Sequence, residues 1–246
     1  MSGKSRAGAI ACLVTCEHGG NRIPAAYREL FRNARHLLES HRGYDPGALT
    51  MAKALARALQ APLIASTVSR LLVELNRSPF NPRVFSSVMR LASEEARHAA
   101  LERYYVPYRQ AVEAAVRRGC ARGSHVIHVS SHSFTPQLDG VVRTADVGIL
   151  YDPARDSEVA LSARWQAALR ARAPRLRVRR NYPYAGWNDG LTTYLRTRFD
   201  DRRYSGIELE VNQRYPSGRS SEWAKLRRVM VAALRDALAG VSESAG

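Results

Sequence analysis

Short apolar runs alternate with stretches of helical spacing along almost the whole chain, and this rhythm leaves few folds open. Runs at roughly 9–16, Pro62–Thr67, Leu71–Leu75, His125–Val129, Val147–Tyr151, Arg175–Arg179 and 206–212 read as strands. Between them a Pro24-led helix near Ala25–Asn33, then Gly47–Leu59, Ser93–Arg118, Ser157–Arg172, Thr192–Arg198 and Ser221–Ala239 read as helices. In Ser93–Arg118 the acidic Glu94, Glu95 and Glu102 fall toward the N-terminal half and Arg117 and Arg118 at the end, as the helix dipole favours. Helices separating strands in this way predict an α/β fold, a mixed sheet with helices on both faces. A length of 246 residues suits one sizeable core, and no repeat, linker or composition shift divides it. The expectation is a single domain over 1–246, with its core at about 10–240 and fraying from Ser242 to Gly246.

The formal charge of +16 raises the question of nucleic acid. Lysine occurs only at Lys4, Lys53 and Lys225, so the rest of the basic charge is arginine, a bias that fits GC-rich codon usage. The arginines are scattered, with no basic tail and no aromatic-interleaved stripe. A solvated basic surface is therefore expected over a nucleic-acid groove, and it would steer anionic substrates. No stretch approaches the ~20 apolar residues of a membrane span. The start has no signal-peptide pattern, which makes the cytoplasm the expected location. Cys12, Cys16 and Cys120 are odd in number and lack Cys-x-x-Cys spacing, against disulfides or a structural zinc finger.

The chemistry gathers at strand ends. The first strand stops at Thr15-Cys16-Glu17-His18-Gly19-Gly20-Asn21, where two glycines keep the backbone slim beside an imidazole. Glu17 would point to the opposite side of an extended segment and reads as an ion-pair partner. His128, Ser130 and His132 share one strand face, and His132 lies at the C-terminal end, where open α/β sheets keep their ligand crevices. His132 is the preferred ligand, with His128 reading as a hydrogen-bonded core histidine. A catalytic zinc takes about three protein ligands. For the third, Asp45 reads equally as a ligand and as a helix N-cap or Asx-turn, with His41 behind it. Glu208 and Glu210 share one face of a strand, which fits either a wet edge or a general base; Glu210 is preferred over Glu208 as the base. Asn76 and Arg77 end the 71–75 run, and Arg70 precedes it; a guanidinium fork there could grip a carboxylate. The loop from Asn181 to Gly190, with Tyr184 in it, reads as a lid or a packed turn. Ser2-Gly3-Lys4-Ser5 mimics a phosphate-binding loop but lacks the strand and first glycine, and Ser130-Ser131 lacks a nucleophile-elbow frame.

Taken in order, Cys16–Pro24, Asp45, Asn76-Arg77-Ser78, His132-Ser133-Phe134, Asn181–Gly186 and Glu208–Asn212 resemble the N-formylglutamate amidohydrolase family over about residues 10–235. That family is similar in fold to the zinc carboxypeptidases and aspartoacylase, so the resemblance implies a zinc-carboxypeptidase-like (phosphorylase/hydrolase-like) architecture. It implies one zinc on His18, His132 and Asp45, catalysis by Glu210 with Glu208 beside it, and a carboxylate-bearing substrate held by Asn76, Arg77 and Arg70, with Asn21 and Tyr184 in contact. Asn21 stands where those relatives carry a glutamate ligand, which passes the third ligand position to Asp45, Asn21 itself or water. The implied reaction cleaves the N-formyl or other N-acyl amide of an acidic amino acid such as N-formyl-L-glutamate. Other N-acyl amino acid deacylation, carboxypeptidase-like activity, and binding of a carboxylated metabolite or nucleic acid are the alternatives.

Overall fold

The structure is a computed structural model that describes residues 9–243, with side chains to residue 240. The Ser2–Ser5 string and residues 244–246 of the expected frayed end lie outside the described residues. In chain order the strands are β1 (Ile10–Cys16), β2 (Leu63–Ala65), β3 (His125–Phe134), β4 (Gln137–Leu138), β5 (Val141–Val142), β6 (Val147–Leu150), β7 (Val178–Arg180) and β8 (Tyr204–Asn212). The helices are α1 (Arg35–Leu38), α2 (Ala48–Leu59), α3 (Glu94–Ala100), α4 (Val106–Ala121), α5 (Asp156–Arg172), α6 (Leu191–Arg198) and α7 (Ser220–Glu243).

Six strands form one mixed sheet in the order β2-β1-β3-β8-β6-β7. β2, β1, β3 and β8 run parallel, and β6 pairs antiparallel with β8 and parallel with β7. Alternation of side chains divides the sheet into two buried faces. On one, Val14, Ile127, Val129, Ile207 and Leu209 pack on Met51 and Leu55 of α2, Trp165 and Leu169 of α5, and Met230 and Leu234 of α7. On the other, Leu13, Val126 and Tyr204 meet Tyr108, Val112 and Val116 of α4 and Leu191 and Leu195 of α6. The expected α/β layering is what forms.

Four local expectations change. Residues Leu71–Leu75 form turns instead of a strand: Leu72 N–H donates to the Ser69 carbonyl and Leu71 N–H to the Ser69 hydroxyl. Its apolar side chains serve two different clusters, Leu71 and Leu72 in one and Val73 and Leu75 in the other. A short apolar run does not by itself specify extended backbone. Only Ala25–Tyr27 is helical after Pro24, as a single 3-10 turn. The helix after Ser93 passes through a π-helical turn at Leu101–Tyr105, next to Pro107, whose missing N–H cannot continue the α ladder. Lastly, β8 is not a wet edge: it lies between β3 and β6, and all nine of its residues are buried.

Candidate active site

The parallel trio β1, β3 and β8 brings the C-terminal ends of three strands side by side, with Thr15 opposite Ser130, Ser130 opposite Glu208, and His132 opposite Glu210. β1 runs directly into Glu17 and His18. The slim backbone that follows is required: a Cβ on Gly19 would come within 2.8 Å of the Ser66 carbonyl oxygen, and one on Gly20 equally close to that of Thr67. Asp45 is fixed beside the strand end because its N–H donates to the His18 carbonyl (2.9 Å). Its side chain does not cap α2, whose N-cap is Gly47 with φ of 80°. It turns to the histidines instead.

His18, Asp45 and His132 are all buried, and they offer ligand atoms that lie within 4.8 Å of one another. The Nδ1 atoms of both rings converge on Asp45 Oδ2, at 3.2 Å from His18 and 2.9 Å from His132. Behind each ring stands another buried carboxylate: Glu74 Oε1 on His18 Nε2, and Glu17 Oε2 at 3.0 Å from His132 Nε2. Such an outer carboxylate is the usual partner of a metal-ligating imidazole, since it fixes the tautomer and leaves the inner nitrogen's lone pair free. Two inward nitrogens, each backed in this way, and one carboxylate oxygen suit a divalent cation. The residues present therefore fit the metal that the sequence resemblance implies.

The electrostatics follow from burial and neighbours. Burial opposes charge on His132, but the hydrogen bonds and charges of Asp45 and Glu17 overcome it and hold its pKa well above the usual imidazole value. Burial alone would raise Asp45, Glu17 and Glu74; the histidines, with Arg70 for Asp45 and Glu74, pull all three below the ordinary carboxylate range. Glu210 goes the other way. Burial, with Asp45 and Glu208 adding to it, pushes its pKa up to about 8, against the pull of His132 and Arg70. Its Oε2 is buried with no hydrogen-bond partner among the described residues. Glu208, two residues back, accepts from Thr192 Oγ1 at 2.7 Å.

His18, Asp45, His132, Glu208 and Glu210 line a chamber of about 290 Å³, together with Asn76, Arg77, Arg83, Tyr184 and Asp189. A profile of the N-formylglutamate amidohydrolase family matches residues 10–215. The chain belongs to that family. Among solved structures, gene product Atu2144 from Agrobacterium tumefaciens is 30% identical, with a TM-score of 0.80 over 95% of this chain and 92% of that one. N-formylglutamate amidohydrolase from Ralstonia eutropha JMP134 is 20% identical, with a TM-score of 0.67 over 95% of this chain and 96% of that one, which speaks to fold. A metallo-carboxypeptidase from Burkholderia cenocepacia is 12% identical at a TM-score of 0.38 over 98% of this chain and 60% of that one, a likeness too slight to speak to chemistry. No curated protein matches the sequence. Membership of the N-formylglutamate amidohydrolase family indicates a hydrolase acting on an amide, with a small amino-acid derivative as its substrate. Among the described residues no helix is long and apolar enough to cross a membrane.

Within this family member the sequence-derived residues divide into three groups. His18, Asp45, His132, Glu208, Glu210, Asn76 and Arg77 all meet at the chamber. Arg77 Nη1 donates to the carbonyls of Asn76 and Asp189, and Asn76 Oδ1 accepts from Leu191 N–H at 2.7 Å, so the Asn76 amide NH2 is the end left for a ligand. Tyr184 lines the chamber too, its hydroxyl accepting from Arg143 at 3.1 Å. Arg70 is present in a different capacity: Nε and Nη2 hold Glu74 and Nη1 holds Asp45, so its charge serves the protein's own carboxylates. Asn21 does not line the chamber; it is exposed and donates to the Leu38 carbonyl at 3.1 Å. It sits three residues past His18, in the turn that leads to the bridge between Arg22 and Val68, and this carries it outward.

His128 is the core histidine expected of it, bonded to Thr15 Oγ1 and the Tyr204 hydroxyl at 2.8 Å each, with its pKa lowered by burial to about 4. Sequence reasoning passed over Glu74 and Arg83. Glu74 lay inside an apolar run that looked like a strand, and its charge in that run was the available signal. Arg83 had none, being one arginine among many.

Proposed function

We propose that this family member is a metal-dependent amidohydrolase that removes the N-formyl, or another N-acyl, group from an acidic amino acid, with N-formyl-L-glutamate as the type substrate. The observation that carries the reading is the pair of inward Nδ1 atoms on Asp45 Oδ2, each ring backed by its own carboxylate, with the unpartnered Glu210 carboxyl in the same chamber. His18, His132 and Asp45 would hold the cation, zinc being the expected metal. When bound, that cation supplies Lewis acidity for activating water and for countering charge on the amide oxygen.

The chain's own residues do the rest. Glu210 takes the proton of the attacking water and delivers it to the departing nitrogen, and its raised pKa matches a carboxylate to proton transfer near neutral pH. Glu208, anchored by Thr192, stays beside it and adds to its basicity. Arg77 and the Asn76 amide hold the substrate carboxylate, which turns binding energy into orientation of the scissile bond. Arg70 keeps Glu74 and Asp45 in place.

The test is metal analysis and formate release on untagged protein, with wild type beside His18→Ala and Glu210→Gln. About one zinc per chain in wild type and in Glu210→Gln, none in His18→Ala, and formate release from N-formyl amino acids by wild type only is the expected pattern. A folded wild type that cannot be loaded with a divalent cation would overturn the reading.

A further inference from the structure

The reaction chamber opens into a second cavity of about 400 Å³, and the two share Asp45, Arg70, Arg83, Ser133, Leu138 and Tyr184 as common wall. The inner chamber already reaches the lower end of the ~300–1,000 Å³ range of small-ligand sites, which is room for a single amino-acid derivative. The outer cavity is at least as large, and its chemistry differs. Arg42, Arg83 and Arg90 lie on its wall, all solvent-exposed. Among the described residues the Arg42 and Arg83 side chains make no hydrogen bond or ion pair, and Arg90 has only a 3.4 Å contact with the Pro82 carbonyl. The acidic residues on this wall, Asp45 and Glu74, are both already held by Arg70. Three guanidinium groups therefore face a cavity with no free carboxylate to answer them.

We propose that the outer cavity is an anion subsite and that the substrate spans both chambers. Beyond the amide that is cut, the substrate carries a distal carboxylate, set far enough away to leave the inner chamber and lie among Arg42, Arg83 and Arg90. Arg83, which lines both spaces, is the residue that senses the passage from one to the other. An N-acyl amino acid or short acidic peptide longer than N-formylglutamate is the class that fits. Arginine forks bind carboxylates in two-point fashion, and phenyl and leucyl walls at Phe85, Phe134 and Leu138 suit an apolar spacer between the two charges. This rests on the inner chamber being the reaction site, so its test is made independent of turnover.

The experiment is titration calorimetry with straight-chain α,ω-dicarboxylates from succinate to sebacate, each against the monocarboxylate of equal length. Wild type is compared with Arg42→Gln, Arg83→Gln and Arg90→Gln, all checked for native circular dichroism. Past a threshold length the diacids should bind at least tenfold more tightly than the monoacids. Arg42→Gln and Arg90→Gln should lose threefold or more of diacid affinity and leave the monoacids within twofold, and Arg83→Gln, at the wall between the chambers, should weaken the diacids more than the monoacids. Equal affinity of diacids and monoacids at every length, or equal weakening of both by the variants, would overturn the subsite. A hydrolysis screen that fails while the diacid preference holds would sink the proposed reaction and leave the subsite standing.

Discussion

Replacing Glu17 by glutamine isolates the role of a carboxylate that the proposed cation would never touch. Glu17 is fully buried, accepts from the Tyr108 hydroxyl (2.7 Å) and Ser130 Oγ (2.5 Å), and faces His132 Nε2 at 3.0 Å. Glu17 and Asp45 can both only accept, so the metal-free ring is held as the imidazolium; when a cation takes the place of the Nδ1 proton, Glu17 keeps the remaining proton on Nε2 and leaves the Nδ1 lone pair for the metal. Glutamine has nearly the same shape, but its amide NH2 would donate to Nε2 and drive the proton to Nδ1, where a cation must bind. Loss of such a partner weakens metal affinity by about 10–100-fold, or about 1.4–2.7 kcal/mol. The glutamine oxygen can keep Tyr108 or Ser130, but the charge-assisted hydrogen bond to His132 is lost, about 1.5–3 kcal/mol. In a chain of this size that lowers the melting temperature by about 3–12 °C. Zinc affinity would be measured by competition with a chromogenic chelator, beside a thermal melt of the metal-free protein. Zinc binding within twofold of wild type, in a variant that melts as predicted, would refute the tautomer argument. Tyr108→Phe, which removes a hydrogen bond to Glu17 Oε1 and leaves both partners of His132 Nε2 in place, should weaken zinc by much less.

Asp45→Asn should abolish stoichiometric zinc binding with the fold retained, as read by metal analysis and circular dichroism, because a neutral amide replaces the anionic carboxylate on which both rings converge. The metal-free protein should lose stability as pH rises from about 4.5 to 8. Over that window folded Glu210 keeps a proton that the unfolded chain has released, a slope of up to about 1.4 kcal/mol per pH unit. His132, whose folded pKa is raised, adds stability below its ordinary value near 6.5 that fades as pH climbs through the folded pKa. Urea titrations in EDTA at several pH values should show a shallower slope in Glu210→Gln, and an unchanged slope would contradict the assignment. Gly148→Ala should be costly because backbone packs directly on this buried β6 position: its Cβ would fall 1.8 Å from the Tyr182 carbonyl oxygen and 3.2 Å from Glu210 Cβ. A destabilisation beyond the ~1–3 kcal/mol usual for overpacking, visible in the melt, is expected.

Local signals carried the architecture a long way. Strand and helix periodicity is written in neighbouring residues, so the sheet, its layers and most element positions were legible. So was His18, because a strand running into two glycines is a local event, and so was His132, because period two puts it on the face of Ser130 at the strand's far end. What failed locally was the run Leu71–Leu75, where an apolar pattern of strand length serves two clusters through turns.

The sequence by itself determined which residues stand at strand ends and which face of each strand is polar. Only the tertiary structure decided what those residues meet. Glu17 and Ser130 are 113 residues apart and His18 and Glu74 are 56 apart, and each pair closes only when β1, β3 and the turn after residue 69 are packed together. The same packing ties Arg70 to the protein's own acids while leaving Arg83 free at the mouth of the chamber. Both are arginines near the same loop, and no composition or spacing distinguishes them. Their difference is electrostatic and through space: one guanidinium found carboxylates within 4 Å and the other did not.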